Sequence, residues 1–279
     1  MLIGIRNLLL IFLTLSFIGC QPEAADTKAP DQAATDALGR IVEGQNGLYP
    51  ELSGLQVLVL KNGVPVQNAA FGFARLGSDG PEPLRTDHKV RIASISKLLT
   101  AIGVMQLVEQ GRVDLDADVS VWFDFDFRNP SHPETPITIR QLLAHTSSIR
   151  DGGRYWLLGE ETFSDFFLPN GALFNQGAYF ASDHPPGSYF AYSNLNFGAL
   201  AGIIERASGR RFDQYMRENV LLPLGLNTSF SPCDVTRRNP ELLATTFRKL
   251  DDEGNWDSSL PWRAQNDGET VSCFVGMDP

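Results

Sequence analysis

The chain lacks any surplus of positive charge: its 279 residues carry 23 basic and 33 acidic side chains, a formal charge of −10. No Lys/Arg cluster offers a track for a phosphate backbone, which argues against nucleic acid as a partner. Missing too are the G-x-x-x-x-G-K-[ST] phosphate loop, the G-x-G-x-x-G turn, the H-E-x-x-H zinc helix and the G-x-S-x-G elbow. Nucleotide, zinc-protease and α/β-hydrolase chemistries therefore lose their usual signals. Cysteine is scarce, with three in all, and beyond Asn194 there is no histidine and only one lysine, Lys249. Hydrophobic residues are not scarce. At 43% they suffice for one large domain or two small ones with an ample core.

The opening "MLIGIRNLLLIFLTLSFIGC" sets Arg6 before an apolar run over residues 8–18 and closes on Gly19 and Cys20. Such a run is too short for a permanent span and reads as a signal peptide over residues 1–20. Its end resembles the lipobox of a bacterial lipoprotein, with Phe17 where leucine is usual. That resemblance implies Cys20 as the lipidated first residue of the mature protein, anchored in a membrane and facing the periplasm. Gln21, in place of aspartate, points to the outer membrane. Residues 21–35, rich in Ala, Pro and charge without apolar period, read as a flexible tether before a domain over 36–279. The remaining cysteines, Cys233 and Cys273, form an even pair of the kind that commonly joins in an oxidising compartment.

Past the tether, a short helix is expected over 36–43, then two β-rich runs, 55–60 and 64–73, about the turn Lys61-Asn62-Gly63. Asp114, Asp116 and Asp118 imitate the start of a calcium loop, but Val119 stands where glycine is needed and no glutamate closes it. The stretch reads as a solvated turn, and no metal is expected. "ITIRQLLAHTSSI", residues 137–149, reads as a helix capped by Thr138, with His145 a packing or capping residue. The aromatic, loop-rich stretch 152–180 is suited to walling a pocket.

"RIASISKLLTA", residues 91–101, carries the first hint of chemistry. On a helix, residues three apart share a face, so Ser94 meets Lys97 while Ser96 points about 100° away from it. Downstream, Ile95, Leu98, Leu99, Ile102, Met105 and Val108 keep helical spacing up to Gly111. The remaining positions are also small or apolar, so this helix is expected to be buried all round. A buried ammonium loses stability relative to the neutral amine, which favours Lys97 as a base for the Ser94 hydroxyl. Ser94 in a first helical turn also gains the positive end of the macrodipole.

A second constellation is "PPGSYFAYSNLNFGALAGIIERASG". After a Pro-Pro-Gly turn, a short extended link carries Tyr192 and Asn194, two apart and thus on one side. Residues 195–206 then have helical apolar spacing, closed by Gly209. A phenol beside an ammonium relays protons, and an asparagine offers both donor and acceptor to a substrate amide.

Ser94-x-x-Lys97 followed 98 residues later by Tyr192-x-Asn194 resembles the serine β-lactamase and penicillin-binding-protein superfamily, in its class C-related branch. Family-like blocks run in family order over about residues 36–230. The resemblance implies an α/β (α+β) fold of the β-lactamase/transpeptidase type, an antiparallel sheet flanked by helices plus a mostly helical region. It also implies roles: Ser94 the acylated nucleophile, Lys97 its partner base, Tyr192 the proton shuttle and Asn194 the substrate amide ligand, with no cofactor. The expected activity is envelope hydrolysis of an ester, D-Ala-type peptide or β-lactam, on a small-molecule or peptidoglycan-derived substrate. The alternative is a catalytically silent relative that binds cell-wall peptide or a protein partner.

Two departures stand against that pattern. Where the family block reads H-T-S-G-[LI], this chain has His145-Thr146-Ser147-Ser148-Ile149, so Ser148 is strained if that position needs φ > 0. The Lys/His-Thr/Ser-Gly triplet of a C-terminal edge strand is absent after Asn194, and the chain reads as a C-terminally truncated product.

Overall fold

A computed structural model describes residues 32–45, 47, 50–253 and 255–264. Cys20 and Cys273 lie outside the described residues; Cys233 lies inside them and is buried. The chain divides into two compact units, one of residues up to Gly72 with 84–86, the other of 73–83 and everything from Asp87 onward.

In the first unit, helix α1 (Gln32–Val42) precedes strand β1 (Gly54–Lys61) and the first part of β2 (Val64–Gly77). The helix begins earlier than expected, inside the stretch read as tether. Ala33 and Ala34 are strong helix formers, and composition alone does not separate them from a linker. Gln67 of β2 then donates to the Thr35 hydroxyl at 2.9 Å, tying the helix to the hairpin. Between the strands, Asn62 and Gly63 take φ 51° and 78°, the paired left-handed conformations of a two-residue turn. Register runs from Lys61↔Val64 to Gly54↔Gly72 with an irregularity at Val59/Leu60. Gly72 has no substitute, because a Cβ there would lie 2.2 Å from the Ser53 carbonyl oxygen.

In the second unit, the end of β2 pairs antiparallel with β3 (Gly80–Pro83), and helix α2 (Ser96–Glu109) follows a 3₁₀ turn over Ala93–Ile95. Helix α3 (Ile139–Leu143) is short, α4 (Asn194–Ser208) is long, and α5 (Phe212–Met216) runs on as a π-helical turn. Helix α6 (Pro232–Arg238) and a small pair of strands, β4 (Phe247–Arg248) and β5 (Arg263–Ala264), complete the described elements.

Helix α4 is the hub, packing against α2, α3 and α5. Its Ala199, Leu200, Ile203 and Ile204 are fully buried with Val104 and Leu107 of α2 and Ile139 and Leu142 of α3. Gly103 lets α2 approach α5: a Cβ there would sit 2.7 Å from Met216 Sδ.

Helix α2 itself is not buried all round. Thr100, Gly103, Val104 and Leu107 form its inner stripe, while Leu98 is 66% and Met105 40% exposed on the outer one. An apolar composition shows that both stripes suit burial, and the described residues cover one of them.

The helix expected over 137–149 is cut to five residues. Thr138 does cap it, its hydroxyl accepting from the Gln141 N–H at 3.3 Å while the Gln141 side chain accepts from the Thr138 N–H at 3.1 Å. Beyond Leu143, His145 and Ser148 adopt φ 56° and 66°, which no helix continues through. The acidic turn is held by arginines: Asp116 meets Arg140 through two bonds of 2.7 and 2.8 Å, and Asp118 pairs with Arg128.

Only part of the 152–180 stretch is free to wall a pocket. Phe166, Phe167, Tyr179 and Phe180 are buried in an aromatic cluster centred on Phe127, which a bridge between Ile149 and Phe180 draws inward. Tyr155, Trp156, Leu157 and Leu158 remain exposed.

Candidate active site

All four residues singled out by spacing meet in the second unit. Ser94 lies on the 3₁₀ turn ahead of α2, just after Ala93, whose φ of 46° is left-handed for a non-glycine residue. One turn on, Lys97 Nζ donates to Ser94 Oγ at 3.2 Å and to Asn194 Oδ1 at 2.8 Å. Tyr192 Oη lies 2.8 Å from Ser94 Oγ. The Ser96 backbone carbonyl accepts from the Thr100 hydroxyl at 3.2 Å.

Lys97 is half-buried rather than sealed in an apolar centre, with the faces of Tyr192 and Phe197 5.0 and 5.6 Å from its nitrogen. Such an environment suits a positive charge. It acts on the neighbouring phenol: burial pushes Tyr192 up, but the adjacent Lys97 ammonium and the hydrogen bond with Ser94 outweigh that. The phenol therefore ends below its ordinary value.

The link that carries Tyr192 and Asn194 is gripped by the segment after α3. His145 Nδ1 accepts from the Ser193 N–H at 3.2 Å, which puts the neutral ring's proton on Nε2. Burial foremost, then the Lys97 charge, holds His145 below its ordinary value, so the acceptor lone pair is kept. Its ring lies 4.6 Å from that of Tyr192, and its carbonyl accepts from Ala191 N–H at 2.9 Å. Asn196, fully buried, joins His145 to the Ser147 hydroxyl. His145 thus packs and orients, as a positioning neighbour of Tyr192.

Ser148 occupies the left-handed position that the family fills with glycine, at φ 66°. The hydroxyl has a use there. It accepts from Asn129 Nδ2 at 3.0 Å, and Asn129 has no exposed surface.

Sequence reasoning missed Asp151. Its carboxylate accepts from the Asn194 side chain at 2.7 Å, from the Ser193 hydroxyl at 2.8 Å, and from the backbone N–H groups of Asn194 and Leu195. It stands two residues beyond the His145–Ile149 block, and nothing local marks it. Lys249, the one lysine after Asn194, donates to the Ser258 carbonyl at 3.0 Å and lies 5.0 Å from the Trp262 ring centre.

Residues 46–255 match the family described as Beta-lactamase. Over 175 residues, 61% of this chain, the sequence is 30% identical to Penicillin-binding protein 4* of Bacillus subtilis (strain 168), covering 36% of that protein. It is 32% identical over 173 residues to the D-alanyl-D-alanine-carboxypeptidase/endopeptidase AmpH of Escherichia coli (strain K12), covering 58% of this chain and 42% of AmpH. The chain thus spans less than half the length of these curated relatives. Among solved structures, the octameric penicillin-binding protein homologue from Pyrococcus abyssi matches with a TM-score of 0.63 at 26% identity, over 86% of this chain and 52% of that one. EstCE1, a hydrolase with promiscuous acyltransferase activity, matches with a TM-score of 0.57 at 25% identity, over 80% and 56% of the two chains. The fold is therefore β-lactamase/transpeptidase-like, and with the family match extending over well more than half of its length, the chain belongs to the beta-lactamase family.

Proposed function

We propose that this chain is a serine hydrolase of the bacterial envelope that works through an acyl-enzyme on Ser94. One observation carries the reading: Ser94 Oγ lies within hydrogen-bond distance of both Tyr192 Oη and Lys97 Nζ. With Lys97 as the ammonium and Tyr192 as the phenolate, the Ser94 proton passes to Tyr192 as the bond from Oγ to the substrate carbonyl carbon forms. Collapse of the tetrahedral adduct breaks the bond to the leaving alcohol or amine, which takes that proton from Tyr192. Water then attacks the acyl carbon, gives a proton to Tyr192, and Ser94 recovers it as the acid departs. This assigns the immediate proton transfer to Tyr192 and leaves Lys97 to hold the charge, a shift from the lysine-base role implied by the family pattern. The shorter distance and the depressed phenol support it.

Asn194 keeps an N–H and a lone pair for a substrate amide after meeting Asp151 and Lys97. The substrate class follows the relatives: AmpH is a D-Ala-D-Ala carboxypeptidase and EstCE1 a hydrolase with acyltransferase activity, so esters and D-Ala-type peptides lead, with β-lactams beside them. Signal-peptide-like residues before Cys20 support a lipid-anchored protein facing the periplasm, where a Cys233–Cys273 disulfide is stable. Among the described residues, no helix is long and apolar enough to cross a membrane.

Incubation with a fluorophosphonate or a labelled penicillin, followed by peptide mapping, tests the reading. The adduct is expected on Ser94, abolished by Ser94→Ala and largely kept by Ser96→Ala. An unlabelled wild type, or equal losses in the two variants, refutes it.

A further inference from the structure

We propose that Asp151 is a positioning residue for this site: its carboxylate fixes which end of the Asn194 amide faces Lys97. The catalytic consequence rests on the hydrolase reading above; the geometric one does not.

Donors and acceptors at the two ends of the amide decide its orientation. An ionised carboxylate only accepts and an ammonium only donates, whereas an amide has one end of each kind. Asn194 stands between the two, with Nδ2 2.7 Å from Asp151 Oδ2 and Oδ1 2.8 Å from Lys97 Nζ. Turning the amide over would set oxygen against carboxylate and NH₂ against ammonium, so both contacts would become repulsive. The terminal torsion of asparagine is broad and two-fold, and it does not choose between these states by itself. Lys97 alone biases it, and Asp151 completes the choice from the other side. The amide oxygen then holds the ammonium 3.2 Å from Ser94 Oγ.

A second observation points the same way. Ser193 occupies the N-cap position of α4, yet its side chain makes no cap bond. Its hydroxyl instead donates to Asp151, which takes over the cap by accepting from the Asn194 and Leu195 N–H groups. One carboxylate therefore anchors the helix start and aims the first side chain on it. Beside it, His145 holds the Ser193 N–H, so three successive N–H groups behind Tyr192 are fixed by the segment after α3.

The test is a double-mutant cycle on the expressed protein with Asp151→Ala, Asn194→Ala and the pair. Two readouts are followed: the rate of fluorophosphonate labelling at Ser94, and the rate of reductive methylation at Lys97 read by peptide mapping. Each single variant should slow labelling about 10- to 100-fold, the scale of a reacting group misplaced by about 1 Å. The pair should be no slower than Asn194→Ala alone. Methylation of Lys97 should rise equally in all three. Thermal midpoints behave differently, the pair melting below Asn194→Ala because the helix N–H groups lose their acceptor. Asp151→Asn, which keeps an acceptor and the shape, serves if the alanine variant does not fold; it should show the same labelling deficit with a smaller drop in midpoint. Multiplicative losses in the pair, or wild-type Lys97 reactivity in Asp151→Ala, overturn the proposal. A wild type unlabelled at Ser94 removes the hydrolase reading, and the Lys97 readout still decides the role of Asp151.

Discussion

Replacing Ser148 by glycine and by alanine separates two opposed contributions at a position where the family has glycine. At φ 66° an L-residue is disfavoured by about 1–2 kcal/mol, and glycine is not. Against that, the Ser148 hydroxyl is one of the acceptors of Asn129 Nδ2, whose other bond goes to the Ala181 carbonyl at 2.7 Å. Asn129 is fully buried, so removing the hydroxyl strands an N–H at a loss of about 1–3 kcal/mol. Glycine relieves the backbone but loses the bond and adds about 0.4–1 kcal/mol of unfolded-chain freedom. Alanine loses the bond and keeps the strain. The expected order is wild type, then Ser148→Gly, then Ser148→Ala, with about 1 kcal/mol between the two variants.

Urea melts of the three proteins measure those differences directly, and in a chain of this size each kcal/mol moves the thermal midpoint by about 2–4 °C. A glycine variant more stable than wild type would show that the Asn129 bond contributes nothing net. An alanine variant at or above the glycine one would show that the left-handed backbone is unstrained. Either result refutes the compensation by which serine stands at this position.

Two further outcomes follow. Tyr192→Phe should lower the Ser94 acylation rate by about 10²- to 10⁴-fold; in wild type the rate should rise with pH, since the phenol must lose its proton to act as base. Because that phenol is depressed, the rise should level off below the ordinary tyrosine value of about 10, and Tyr192→Phe should flatten it; a wild-type profile still rising at pH 10 contradicts the assignment. Cys20→Ser should move the protein from the membrane to the soluble fraction, because a single acyl chain binds only marginally while several hold firmly; unchanged sedimentation with membranes counts against the anchor.

What the sequence disclosed and what it hid follow from the range of each interaction. Ser94 and Lys97 are readable as a pair because three residues of helix bring them together, and no distant partner is needed. Tyr192 ends the extended link and Asn194 opens α4 with only Ser193 between them, so their nearness to each other is local. Their approach to Ser94 across 98 residues is not local; the family resemblance supplied it. The hairpin turn was legible in Asn62-Gly63, since both positions demand positive φ and these residues tolerate it. The solvent-facing stripe of α2 was not, because periodicity reports which residues suit burial and not whether anything buries them.

Asp151 shows the limit most clearly. A lone aspartate in "SSIRDGG" satisfies every ordinary expectation for a turn, and its chemistry appears only when the start of α4 is laid against it. Conversely, Ser193 at the N-cap of α4 invites a confident local reading that the structure reverses: the hydroxyl donates to Asp151 and the cap comes from 42 residues away. The same exchange explains why the site tolerates serine at position 148. From Asn129 through Ser148 to Asp151 and α4, the chain after α3 is held by buried and half-buried side-chain bonds more than by helix or sheet. Its functional geometry is therefore written in which polar side chains meet, and such meetings leave no period in the sequence.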